Sequence, residues 1–153
     1  MRRLFLLRHA QAATPPGVDD KHRPLSPQGV ADALALGRLM KAKGYVPNFI
    51  VCSPARRTQQ TMRKLFDTWG DIPFVQPPSA YYTSTGQLYD LIKMVDGNMP
   101  SVLLISHNPS IHALAKFLCG LGEDDTLRRM KSDYRECTLS VFKCPIDGWA
   151  TLM

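Results

Sequence analysis

Nothing in this sequence approaches the roughly 20 consecutive apolar residues that a helical membrane span requires, so no membrane partner is expected. Cysteine is sparse. The four present (Cys52, Cys119, Cys137, Cys144) show neither Cys-x-x-Cys spacing nor the paired histidines of a zinc site, so no metal and no cofactor is expected. An export signal is missing too. Arg2-Arg3 superficially opens one, but Arg8 and His9 interrupt the apolar stretch that follows after four residues, where such a signal needs about 7–15. With no leader and no paired cysteines, reduced thiols and a cytoplasmic location are expected. Aromatic residues make up only 8% of the chain and do not interleave with its basic residues, and no nucleic-acid module is recognisable. No repeat and no linker divides the 153 residues, which predicts a single domain over 1–153.

What is present is positive charge and a regular alternation of elements. The formal charge of +6 favours anionic partners. Its tightest cluster, Arg128-Arg129-Met130-Lys131 with Arg135 close behind, reads as a solvated face, the alternative being a dock for an acidic protein. Short apolar runs at 3–8, 49–52 and 102–106 read as buried strands. Ser26-Pro27, Ser53-Pro54 and Asn108-Pro109 each pair a capping residue with a proline, which predicts helix starts there. The first helix ends at Gly44, the second near Trp69 and the last near Cys119, with another over about 85–95. Two further strands are expected at 137–142 and 149–152. Strands alternating with helices predict a three-layer α/β/α sandwich around a mostly parallel sheet.

In a parallel sheet all strand-to-helix junctions share the carboxyl edge, where such folds bind ligands. Three junctions here carry polar signatures: Arg8-His9, Ser53-Pro54-Ala55-Arg56-Arg57 and Ser106-His107-Asn108-Pro109. Guanidinium forks match phosphate oxygens, and helix N-termini favour anions, so Arg8, Arg57 and His107 together suit a phosphoryl group. One imidazole, His9, can then attack phosphorus while the other steadies its oxygens. Neighbouring cations are expected to keep His9 neutral and therefore nucleophilic.

These residues resemble the motifs of the histidine phosphatase superfamily, the phosphoglycerate mutase-like fold. The resemblance rests on Leu7-Arg8-His9, Ser53-Pro54-x-x-Arg57-x-x-Gln60-Thr61 and Ser106-His107-Asn108-Pro109, and it spans residues 4 to about 118. The chain's shortness and its Arg23-Pro24-Leu25-Ser26-x-x-Gly29 segment resemble the SixA-type phosphohistidine phosphatases. The resemblance implies His9 as nucleophile, with Arg8, Arg57 and His107 in the catalytic phosphate pocket. Arg23 is expected to face the phosphate or a carboxylate behind it, and Asn108 to contact the phosphate. The motif spacing selects Arg57 over Arg56, which is expected to face solvent. Larger members supply a carboxylic acid between the second and third motifs. The corresponding stretch here, residues 79–86, contains none. A phosphomonoester needs a proton donor for its leaving alkoxide, whereas an imidazole leaves more readily, so the gap points to a phosphoramidate. The expected substrate is thus a phosphorylated protein of the histidine phosphotransfer type. The alternatives are a small phosphorylated substrate, with Asp19 or Asp20 as an improvised acid, and a phosphate-binding module without catalysis. Ser53 is expected to cap its helix, His112 to lie on a helix face and His22 in a solvated loop or at the substrate rim. Tyr81 and Tyr82 are expected to be half-buried walls.

Overall fold

A computed structural model describes residues 1–120 and 133–152, so the basic cluster at Arg128, Arg129 and Lys131 lies outside the described residues. Five strands form one sheet in the order β3-β2-β4-β1-β5. They are β1 (Arg2–Arg8), β2 (Phe49–Cys52), β3 (Phe74–Val75), β4 (Ser101–Ser106) and β5 (Leu139–Cys144). All neighbours run parallel except β5, which pairs antiparallel with β1. Among the described residues, four α-helices cover the faces: α1 (Pro27–Ala42), α2 (Arg56–Trp69), α3 (Thr85–Lys93) and α4 (Ser110–Cys119).

The apolar runs are continuous because β1, β2 and β4 are buried on both sides. Alternate residues divide between the two faces. Phe5, Leu7, Ile50, Cys52, Leu103 and Ile105 pack with Met40 of α1 and Met62, Leu65 and Phe66 of α2. Leu4, Leu6, Val51, Val102 and Leu104 pack with Leu88 and Ile92 of α3 and Ile111 and Leu114 of α4. The result is the expected three-layer sandwich. Among the described residues no helix is long and apolar enough to cross a membrane.

Ser26 caps α1 as its sequence predicts, accepting from the Gly29 N–H, and Gly44 ends that region at φ +71. α3 starts with a full capping box between Ser84 and Gln87. The other two expected caps shift. α2 begins at Arg56, two residues beyond its predicted start at Pro54, and α4 at Ser110, one beyond Pro109; the Ser53 hydroxyl bonds His107 and the Asn108 amide the Tyr134 carbonyl. The strand expected at 149–152 is instead a 3₁₀ turn, Trp149–Thr151. Its apolar composition serves to bury Trp149 completely while the indole N–H donates to the Met99 carbonyl. The strand expected at 137–142 is displaced to Leu139–Cys144, since Cys137, at φ 62, turns the chain just before it.

Candidate active site

Register fixes the site. Arg8 lies opposite Ser106, and Cys52 opposite Ile105, so the residues that follow these strands emerge at one level of the sheet edge. The pairing even continues past the strands: the His9 N–H donates to Ser106 and the Ser53 N–H to Ile105. The His9 and His107 rings consequently lie 5.3 Å apart, both nearly buried.

His9 Nδ1 is 2.7 Å from the Ala10 carbonyl oxygen. A carbonyl only accepts, so Nδ1 carries the proton and Nε2 keeps the lone pair. The imidazole pKa falls to about 4, with burial the largest cause; the Ala10 hydrogen bond opposes it, and Arg57 and Arg8 add to it. The neighbouring cations thus help keep His9 neutral as expected, and desolvation, which the sequence did not show, contributes more. His107 is lowered further, to about 3, by burial and then by Arg57 and His9. Its Nε2 bonds the Ser53 hydroxyl at 2.7 Å, so Ser53 holds a pocket imidazole rather than simply capping a helix.

Arg57 is buried in the first turn of α2, while Arg56 beside it is exposed. Its Nη1 donates to the Asp20 carbonyl at 2.7 Å and its Nη2 meets Asp20 Oδ2 at 3.1 Å. Arg8 donates through Nη1 to the Tyr134 carbonyl at 3.1 Å and lies 3.7 Å from Glu136 through Nη2. Asn108 also donates to the Tyr134 carbonyl. Buried polar groups normally find partners. Among the described residues, the buried side-chain atoms without one are Arg8 Nε, Arg57 Nε, His107 Nδ1 and Asn108 Oδ1. All four belong to residues expected to hold phosphate, and the first two are N–H donors suited to an oxyanion.

The family profile of the histidine phosphatase superfamily (branch 1) matches residues 4–79. The SixA protein of Agrobacterium tumefaciens superposes with a TM-score of 0.84 at 30% identity, over 92% of this chain and 90% of that one. The chain belongs to the histidine phosphatase superfamily. Its similarity is to the SixA-type branch. The protein histidine phosphatase SixA in complex with tungstate matches at TM-score 0.68 and 25% identity, over 76% of each chain. An uncharacterized protein of Mycobacterium tuberculosis is 32% identical over 119 residues, 78% of this chain and 73% of the relative.

The superfamily motifs acquire physical reasons here. Thr61 Oγ1 accepts from the Ala10 N–H, which fixes the turn after His9. Gln60 accepts from the Leu25 N–H and the Gln11 carbonyl from Ser26, which lash the 13–26 strap to the same turn. Gly29 is required because a Cβ there would lie 2.1 Å from the Gln11 carbonyl oxygen. Arg23 reaches the site through Asp20, at 3.3 Å, and donates also to the Ala13 carbonyl.

Asp20, considered as an improvised acid, does fold over the cleft. Its carboxylate accepts from Tyr81, Arg57 and Arg23, and these bonds hold its pKa down to about 2. It is therefore ionised at neutral pH. Tyr81 is a half-buried wall as expected, its ring edge-on to His107 at 5.6 Å. Tyr82 is not, being 78% exposed. His22 sits in an exposed loop against Asp19, and His112 lies on α4 stacked on Tyr134. The 133–138 loop, whose Tyr134 and Glu136 steady Arg8, lies beyond every recognised motif; the acid at 136 just before a strand was its one signal. Among the described residues, no group of three or more His, Cys, Asp or Glu side chains is placed to hold a metal ion.

Proposed function

We propose that this protein is a phosphohistidine phosphatase that works through a phosphoryl group carried on His9. His9 Nε2 attacks phosphorus; the new N–P bond forms as the bond to the substrate imidazole breaks, and the leaving nitrogen takes a proton from solvent. Water then attacks the phosphohistidine, its oxygen bonding phosphorus as the bond to Nε2 breaks, and its protons pass to phosphate or solvent. Arg8, Arg57 and His107 stabilise the equatorial oxygens, with Asn108 and Arg23 supporting them. The arginines supply the charge, so the proposal includes no metal and no cofactor. The partner is a phosphorylated protein of the histidine phosphotransfer type, met in the cytoplasm by a single domain over 1–153.

The observation that carries the substrate reading is the ionised state of Asp20. General acid help is worth about 10²–10⁴-fold to an alkoxide leaving group. The carboxylate nearest Arg57 cannot give it, because Tyr81, Arg57 and Arg23 all stabilise its charge. A phosphoramidate needs that help least.

Two measurements test this. The chain is mixed with a ³²P-phosphohistidine protein, quenched in base and mapped; label is expected on His9 and absent from His9→Ala. Turnover of the phosphohistidine protein is then compared with that of p-nitrophenyl phosphate and sugar phosphates. A strong preference for sugar phosphates would overturn the substrate class, and label elsewhere than His9 would overturn the mechanism.

A further inference from the structure

Each arginine expected to hold phosphate arrives already paired with a carboxylate from outside the recognised motifs. Asp20, on the strap before α1, meets Arg57 at 3.1 Å and Arg23 at 3.3 Å. Glu136, on the loop before β5, meets Arg8 at 3.7 Å. The two are comparably placed at the solvent boundary, with side chains 43% and 41% exposed, while Arg57 behind them is only 8% exposed. Their charges reach the reacting groups: Glu136 acts on His9, and Asp20 on His107.

Arg8, Arg23 and Arg57 supply three positive charges, and Asp20 and Glu136 remove two, with both imidazoles neutral. Among these five groups one net positive charge remains, which a single phosphoryl group already exceeds, so nothing is left over for a further anion. We propose that Asp20 and Glu136 act as a charge filter at the mouth of the pocket, admitting phosphoryl compounds with neutral or basic leaving groups and rejecting those that carry a carboxylate or a second phosphate. The filter rests on His9 accepting the phosphoryl group, but not on the leaving group being histidine. A basic flank beside the phosphorylated residue meets two carboxylates; an acidic flank meets the same two and is repelled. Lys21, whose amino group lies 5.9 Å over the Tyr81 ring, belongs to the same strap and is left unchanged in the test.

The test compares phosphorylation of His9 by 4-(trimethylammonio)phenyl phosphate and by 4-carboxyphenyl phosphate, as the ratio of their single-turnover kcat/KM values. Taking the ratio cancels any general damage to the pocket. The unaltered chain is expected to favour the ammonium ester. Glu136→Gln and Asp20→Asn should each move the ratio about three- to tenfold toward the carboxylate ester at low salt, the size expected of one half-screened charge several ångströms away. The shift should shrink in about 0.5 M salt, where the screening length falls below the separation. Slower reaction of both variants at an unchanged ratio would reduce these carboxylates to holding the arginines and would overturn the filter. No label on His9 from either ester, nor from a phosphohistidine protein, would overturn the reading of His9 itself, and the filter with it.

Discussion

Lowering the pH from 8 to 5 should destabilise this protein by about 4 kcal/mol, because two buried imidazoles resist protonation. In the unfolded chain each titrates at the ordinary value of 6.5, whereas in the fold His9 sits at about 4 and His107 at about 3. Between pH 6.5 and the folded values the unfolded state binds protons that the native state refuses, so stability falls as pH falls. At pH 5 the unfolded value lies 1.5 units above ambient, and at about 1.36 kcal/mol per unit each histidine contributes about 2 kcal/mol of loss. Asp20 acts with the same sign in another window. Its carboxyl is lowered to about 2, so its contribution persists above 3.8 and is lost only as the solution grows more acid than that. The interval from pH 8 to 5 therefore isolates the histidines. Urea unfolding followed by circular dichroism should show the midpoint dropping by about 2 M, given a slope near 2 kcal/mol per molar urea. His9→Asn should remove about half of that drop, and the double variant with His107→Asn nearly all of it. An equal midpoint at both pH values would refute the reasoning, and so would a full drop surviving in the double variant.

Gly29→Ala should lower stability by about 3 kcal/mol and reduce turnover as well, because the new methyl meets backbone that cannot swing aside, in the strap that steadies the turn after His9. Thermal denaturation and initial rates check both effects together. Ser53→Ala should cost about 1–3 kcal/mol, the penalty of leaving His107 Nε2 buried without its partner, and should depress kcat/KM more than it alters the strands, as far-ultraviolet dichroism would show.

β1, β2 and β4 were legible because burial on both faces leaves an uninterrupted apolar signature that few other arrangements produce. The short β3 was not. Two residues beside a proline-rich stretch carry no periodicity, and β2 alone recruits them. Trp149 misled for a related reason, since an apolar tail fits a strand or a plug equally well and only the Met99 carbonyl decides. The failures at Ser53 and Asn108 are more instructive. Both residues look like caps by local rule, yet His107 and the Tyr134 carbonyl claim their side chains, and the helices start two residues later at α2 and one later at α4. A local rule that breaks at a candidate site marks a side chain recruited for something other than secondary structure. Asp20 and Glu136 stayed hidden because their contacts are made by loops, and no spacing in the chain ties them to Arg57 or Arg8.

β1, which carries Arg8 and leads into His9, is made before the two strands that flank it. β1 lies between β4 and β5, whose residues follow it by about a hundred positions or more, so neither neighbour exists while the nucleophile's strand is being made. Contacts of such sequence separation close slowly and late. The burial that lowers the proton affinity of His9 is thus completed only once β4 and β5 have been made. The proposed phosphoryl transfer at His9 therefore needs both neighbours of β1, and a fragment ending before Leu139 would present β1 as an open apolar edge.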